Sequence, residues 1–285
     1  PWTVKGMFFR TFVRLLLRSP ELLTMLGILE KFGIHRHNAK FTDASEAFED
    51  KFYQFFRKEQ KTLRSYDRTR MDPAVRLSAD IMQVFLDDSV EGERFRHHDY
   101  PLNQMFGIQS EMPNFMMTIH PVVSKKEARN YVIRLGLFGR KFDQVLEGLH
   151  IRESKGCLPP HFVILRVLDE MKNFISTPPR ENPLYTVFAE KLSGLEKLSQ
   201  ADRTQLLNDA ASQIDTVVYP AYHKLIDYFN ILEQKTAADA GVWNLPDGDA
   251  YYANRFRTNT TTDYTPEQVH QIGLQEVDRL EGKMR

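Results

Sequence analysis

Apolar residues recur at intervals of three and four along most of the chain, and this spacing predicts a mainly α-helical fold with irregular helix lengths. One series follows a capping box formed by Ser124 and Glu127. Its apolar positions are Tyr131, Leu135, Phe138, Phe142, Val145 and Leu149. Another series keeps one helical phase across Pro220, so we expect a single helix kinked there. Its positions are Ile214, Val218, Ala221, Leu225, Tyr228 and Leu232.

The stretch from 241 to 256 departs from this helical pattern, and we interpret it as a short β-ribbon. Residues 245–248, Leu-Pro-Asp-Gly, have the composition of a turn, because proline presets φ and glycine tolerates positive φ. The aromatic residues that follow, Tyr251 and Tyr252 among them, suit a half-buried extended segment. Thr265 and Pro266 then predict the start of a new helix.

Residues 4–18 are apolar and basic, with arginines at 10, 14 and 18 and no acidic residue before Glu21. Two interpretations stay open. The segment is either a helix that lies on an anionic membrane surface or an amphipathic helix packed on the domain. We therefore divide the chain into amphipathic N-terminal helices at 1–33, next to an anchor removed upstream of Pro1, and a helical domain at 34–285.

The composition of the chain argues against some kinds of partner and site. The chain has 285 residues, and its 38 basic and 38 acidic residues give a formal net charge of zero. This balance argues against nucleic acid as the main partner, because phosphate binding requires an excess of Lys and Arg. The one cysteine, Cys157, excludes an internal disulfide framework and a multi-cysteine metal site.

No complete catalytic motif occurs in the chain. None of the nine histidines has another histidine three or four residues away, as the zinc motif H-E-x-x-H requires. G-x-S-x-G, P-loop and dinucleotide-binding motifs are also missing from the sequence. The neighbours His97 and His98 point in diverging directions on a regular element, so we interpret them as a polar loop pair. We therefore expect no catalytic residue and no metal ligand in this chain.

An ordered set of motifs is nevertheless informative, and it spans nearly the whole chain. It comprises EGERF at 91–95, HDYPLNQ at 98–104, QSEMPNF at 109–115, KFDQVLEGL at 141–149, YPAY at 219–222, GVWNLPDGDAYY at 241–252 and TPEQVHQIGLQEV at 265–277. In these motifs the sequence resembles bacterial domain-of-unknown-function family 885, whose members are often labelled lipoproteins.

The resemblance implies a fold similar to helical zinc metallopeptidases of the oligopeptidase type, with a cleft between helical walls. In that family a zinc motif similar to H-E-x-x-H lies in the C-terminal half, beyond Arg285. The chain would thus be the N-terminal half of a zincin-like peptidase, with the C-terminal half of the same protein as its partner. Zinc is expected for the full-length protein only. Relatives with a similar start carry an upstream hydrophobic anchor, which implies a location outside the cytoplasm.

Under this resemblance the 241–256 segment would contact a peptide substrate. An edge strand is a common way to bind an extended peptide. The candidate substrate-binding residues are Tyr251, Tyr252, Arg255 and His270. The alternative is that the two tyrosines merely pack the segment on the helices. Two functions therefore stay open: part of a zinc peptidase, or a non-catalytic helical scaffold that binds a peptide or protein.

Overall fold

A computed structural model describes residues 3–236 and 241–284 of the protein, which leaves Pro1 and Arg285 outside the described residues. The fold is all-α, as predicted. The described α-helices are α1 (Val4–Leu16), α2 (Pro20–Leu26), α3 (Glu46–Arg64), α4 (Pro73–Gly92), α5 (Ile108–Asn114), α6 (Lys125–Leu135), α7 (Phe138–Ser154), α8 (His161–Phe174), α9 (Pro183–Ser193), α10 (Gln200–Gln213), α11 (Tyr219–Glu233), α12 (Gly248–Thr260) and α13 (Pro266–Met284). None of them is both long and apolar enough to cross a membrane.

The main core is built from helices α5 to α11, and all six positions of each predicted apolar series are buried in it. The Tyr131 ring of α6 stacks on the Phe188 ring of α9, with centroids 4.4 Å apart. Its hydroxyl donates a hydrogen bond to the Leu184 carbonyl at 2.8 Å. The first series does not form one helix, however, because the chain turns at Gly136 and Leu137 between α6 and α7.

Two prolines are accommodated by wide π-helical turns. α5 contains Pro113 and continues into a π turn at Phe115–Ile119. Because proline has no N–H, the Gln109 carbonyl four residues earlier lacks its helical partner. The buried Tyr222 hydroxyl donates to that carbonyl instead. The second π turn, Ile214–Val218, joins α10 to α11 just before Pro220, so the chain stays helical across Pro220 as predicted, and the kink stays a prediction.

A second, smaller core joins α1 to α3 and α4, and its fully buried members include Met7 and Leu63. Arg10 and Arg14 of α1 point into the structure. Both bind the fully buried carboxylate of Glu59, at 3.1 and 3.2 Å. Phe9 of α1, by contrast, faces solvent and is 70% exposed. The domain boundary at residue 33 stays a prediction.

The β-ribbon predicted at 241–256 is wrong. A single 3₁₀ turn, Val242–Asn244, leads into α12, and no strand occurs in the two described ranges. The predicted turn does exist, but it opens a helix: Gly248 begins α12 and touches the Val242 carbonyl so closely that a Cβ would lie 2.1 Å from the oxygen. The aromatic residues fit a helix equally well, since Tyr252 and Phe256 are one turn apart and their ring centroids lie 6.1 Å apart.

The predicted start of the last helix at Thr265 and Pro266 is confirmed, and a capping box closes it. The Thr265 hydroxyl accepts from the Gln268 backbone N–H, and the Gln268 side chain accepts from the Thr265 N–H. α13 contacts little else, because none of its residues is buried.

Candidate functional site

A recess that two of the predicted site residues line lies between α3, α4 and α12. It is a cavity of about 560 Å³ that opens to solvent. Aromatic rings form its apolar side: Phe52, Phe56, Phe85 and Phe95. Polar side chains from the same three helices and from the loop after α4 complete the wall: Glu49, Tyr53, Asp88, Ser89, Arg96, Asp99, Tyr251, Asn254, Arg255 and Thr258.

A second cavity of about 400 Å³ adjoins the first, because both are lined by Glu49, Phe52 and Asp99. It extends away from α12 towards α7, where Gln144, Gly148 and Arg152 line it. Together the cavities form one elongated recess, which we call the α3 groove. Its size is in the range that holds a small ligand or several residues of a peptide.

Two buried polar atoms in the groove have no hydrogen-bond partner. They are the Oε2 oxygen of Glu49 and the Nδ2 nitrogen of Asn254. Asn254 is only 5% exposed, so bulk water reaches little of its side chain. Buried polar groups in folded proteins are almost always hydrogen-bonded, since an unpaired one costs free energy. Two such atoms in one recess indicate a place where a ligand supplies the partners.

The charges around Glu49 are already arranged in pairs. Arg96 binds Asp50 at 2.6 Å and Glu46 at 3.0 Å. Arg152 donates to Asp99 at 2.9 Å. Burial raises the pKa of the Glu49 carboxyl above its usual value, and repulsion from Glu46 raises it further. The charges of Arg152 and Arg96 partly oppose this rise in pKa, but neither arginine forms an ion pair with Glu49.

The Tyr251 ring is fixed at the edge of the groove. It packs on the Phe95 ring at 5.5 Å and on the His98 ring at 4.9 Å between centroids. The His98 Nε2 nitrogen donates to the Pro246 carbonyl at 2.7 Å, which ties the loop after α4 to the turn before α12. Burial raises the pKa of the Tyr251 hydroxyl, so this group is a neutral donor near pH 7.

Of the four residues predicted to bind substrate, the structure brings two into the groove. Tyr251 and Arg255 lie one helical turn apart on α12, and both line the first cavity. Tyr252 is 47% exposed and does not line either cavity of the groove. His270 is an exposed residue of α13 and likewise lines neither.

Sequence reasoning missed Glu49 and Asn254. Glu49 lies in the polar part of an amphipathic helix, where a glutamate is ordinarily solvated. Asn254 lies in the segment interpreted as a ribbon. A helical reading would have placed Tyr251, Asn254 and Arg255 on one face by their spacing of three and four residues. Nothing in the sequence marks a polar atom as unpaired, because that property arises from the tertiary contacts.

A zinc centre needs several His, Cys, Asp or Glu ligands close together. Within residues 3–236 and 241–284, no three His, Cys, Asp or Glu side chains are grouped to hold a metal ion. Next to the groove, the Nε2 nitrogen of His97 lies 3.1 Å from the Glu46 carboxylate. Its Nδ1 accepts from the Lys155 ammonium at 2.8 Å, so both ring nitrogens are occupied. The described residues do not fit a zinc centre.

The fold and the groove together define an all-α protein with an elongated, partly aromatic recess. The chain belongs to the family of bacterial proteins of unknown function DUF885, whose model matches residues 20–285. Comparison with the curated proteins gives no match.

Two solved structures share the fold. One is described as the putative lipoprotein from Colwellia psychrerythraea; it has a TM-score of 0.89 and 22% identity over 99% of this chain and 50% of that one. The other is described as a putative lipoprotein of unknown function from Shewanella oneidensis; its TM-score is 0.68, with 12% identity over 100% of this chain and 47% of that one. The chain thus spans about half the length of these relatives. Because both identities are below 25%, the likeness establishes the fold alone.

Proposed function

We propose that the chain is the substrate-binding part of a zinc-dependent peptidase and that the α3 groove holds the peptide. The observation that carries this proposal is the pair of adjoining cavities that share Glu49, Phe52 and Asp99. A recess with an apolar side and a few convergent polar groups is typical of ligand sites. An elongated recess of this kind suits an extended chain better than a compact molecule.

The proposal assigns peptide binding to this chain and the hydrolytic groups to another part of the protein. Peptide hydrolysis by zinc needs metal ligands and a base that activates water. The described residues provide no such cluster. Under this proposal, those groups belong to a second half of the protein, consistent with relatives about twice as long. The residues of the groove bind and orient the peptide.

The test uses the full-length protein, treated with a chelator, reloaded with zinc and incubated with a mixture of peptides. We expect cleavage that depends on zinc and that is detected by mass spectrometry. Gly92 lines the groove, and a Cβ there would meet no atom within 4 Å, so the backbone accepts a side chain at this position and Gly92→Phe is chosen to obstruct the groove. This variant should reduce kcat/KM about tenfold or more.

Gly273→Phe is the matched control, because Gly273 is equally open and lies on α13, outside the groove. Equal cleavage by both variants would contradict the proposed role of the groove. Tight peptide binding with no cleavage at all would instead support the alternative, a non-catalytic peptide-binding scaffold.

We further propose an extracytoplasmic location on a membrane, as the word lipoprotein in the description of both solved relatives suggests. The outward side of α1 supports this, since Phe9 and Phe12 are 70% and 56% exposed. Exposed apolar rings on a helix suit the surface of a bilayer. Co-sedimentation with anionic vesicles should be weakened by a double change, Phe9→Ser with Phe12→Ser.

The control for this measurement is Phe162→Ser, because Phe162 is 51% exposed on the distant helix α8. If the double variant and the control sedimented alike, α1 would have no role at the membrane.

A further inference from the structure

Among the acidic side chains that line the α3 groove, Glu49 has a buried carboxylate oxygen without a hydrogen-bond partner. Its Oε2 atom is buried and unpaired, whereas Asp99 and Asp88 have arginine partners at 2.9 and 3.5 Å. A ligand that carries a positive donor would complete this group. Charge-assisted hydrogen bonds to a carboxylate are among the strong polar contacts in proteins.

The second unpaired atom in the groove has the opposite character. The Asn254 Nδ2 group is a donor, so its missing partner is an acceptor such as a carbonyl oxygen. Asn254 belongs to α12 and Glu49 belongs to α3, so the two atoms stand on different walls of the first cavity. A ligand between them would present a cation to one wall and a neutral acceptor to the other.

The apolar side of the cavity restricts the ligand further. Phe52 is next to Glu49 in the groove, and its ring packs on Phe56 with centroids 4.6 Å apart. Phe85 extends this surface, with its centroid 5.7 Å from that of Phe56. Aromatic faces favour a neighbouring cation as well as an apolar side chain. The cationic group of the ligand is therefore accompanied by an apolar one.

A peptide amino terminus has all of these features: an ammonium group, a carbonyl oxygen three bonds away from the ammonium nitrogen, and a first side chain. We propose that the α3 groove binds the free amino terminus of a peptide whose first residue is apolar. Glu49 accepts from the ammonium group, and Asn254 donates to a carbonyl of the peptide backbone. This inference rests on the proposed peptide-binding function and adds the end of the peptide that the groove recognises.

The test compares two synthetic hexapeptides that begin with phenylalanine and have an amidated carboxyl end. One has a free amino terminus, and the other is acetylated. Binding to the full-length protein is measured by calorimetry after removal of metal ions, so that cleavage does not interfere. We expect the free peptide to bind at least about tenfold more tightly, because acetylation removes the charged donor.

Glu49→Gln keeps the shape of the side chain and removes its charge. In this variant the preference for the free peptide should fall to about twofold or less. Glu190→Gln is the control, since Glu190 is an exposed glutamate of α9 outside the groove, and it should keep the full preference. A change of this ratio reports on the ligand contact, because a purely structural effect would weaken both peptides equally.

A third peptide, acetylated and with lysine as its first residue, tests whether a side-chain ammonium is enough. If it bound as tightly as the free peptide, recognition of the amino terminus would be overturned. The same holds if free and acetylated peptides bound equally, or if Glu49→Gln kept the full preference, although the groove would then still be a peptide site. If no peptide bound, the proposed function itself would fail.

Discussion

The buried guanidinium of Arg134 donates a hydrogen bond to the Nδ1 atom of His120, with 2.9 Å between the two nitrogens. It also donates to the Lys40 and His37 carbonyls and to the Thr24 hydroxyl. One side chain of α6 thus fixes the segment between α2 and α3 on the main core. The bond to His120 requires a neutral imidazole, because only a deprotonated Nδ1 accepts.

The stability of the protein should therefore depend on the protonation of His120. Burial, together with the charge of Arg134, lowers the pKa of this imidazole from 6.5 to about 3. Between these values the unfolded chain binds a proton that the folded protein does not, so stability falls as the pH falls from 6.5 towards 3. His120→Gln keeps an acceptor for Arg134 and does not titrate. Near pH 5, its free energy of unfolding should fall less steeply with pH than that of the wild type, by about 1 kcal/mol per unit.

Urea denaturation of both proteins at several pH values between 5 and 7.5 checks this expectation. His150→Gln serves as the control, because the His150 side chain is 64% exposed on α7. Identical slopes for the wild type and His120→Gln would show that His120 is charged in the folded state.

The contact between α1 and α3 should depend on Glu59. This carboxylate is fully buried, binds Arg10 and Arg14, and accepts from the Thr11 hydroxyl at 2.6 Å. Removing one partner of a buried ion pair leaves charges without compensation. Glu59→Ala should destabilise the protein by about 2 kcal/mol or more and increase hydrogen exchange in α1.

Glu276→Ala is the control for that change, since Glu276 forms an exposed pair with Arg279 within α13. Exposed pairs contribute about 0–1 kcal/mol. If the two alanine variants were equally stable, the burial of Glu59 would have no energetic consequence.

Replacing either of two glycines by alanine should change the stability of the protein, in opposite directions. A Cβ at Gly248 would lie 2.1 Å from the Val242 carbonyl oxygen, so Gly248→Ala forces the turn before α12 to move. A Cβ at Gly273 would meet nothing within 4 Å, and alanine favours a helix over glycine by about 1 kcal/mol. Thermal unfolding should therefore show a lower Tm for Gly248→Ala and a higher one for Gly273→Ala. A raised Tm for both would disprove the close approach at Gly248.

Glu49→Gln should stabilise the ligand-free protein at neutral pH while it weakens peptide binding. The raised pKa of this carboxyl means that its charged form disfavours folding. The gain is at most about 1 kcal/mol, because the side chain is partly screened by solvent. It should shrink as the pH falls below the carboxyl's usual value of 4.5, where both states are protonated. Chemical denaturation at pH 7 and pH 4 measures it, and a variant less stable at pH 7 would contradict this account.

The sequence predicted several helices and their buried sides well. Three- and four-residue spacings identified the buried sides of α6, α7 and α11, because burial of one helix face is a local, periodic signal. The turn at Pro246 and Gly248 was also recognised, but turn residues occur before helices as well as before strands. The orientation of Arg10 and Arg14 was missed for a different reason: their partner, Glu59, is about 45 residues away along the chain.

The π turn at Ile214–Val218 has a further consequence. Core positions in this region step by four residues three times in succession, from Leu206 through Ala210 and Ile214 to Val218. In an α-helix each such step drifts by about 40° around the axis, so three steps would turn Val218 away from the core. The wider turn absorbs that drift. Deleting Thr216 should return this turn to ordinary helical winding while α11 keeps its angular position, so the Tyr222 hydroxyl should still reach the Gln109 carbonyl. The π turn thus accommodates one extra residue without turning the buried side of α11 away from the core.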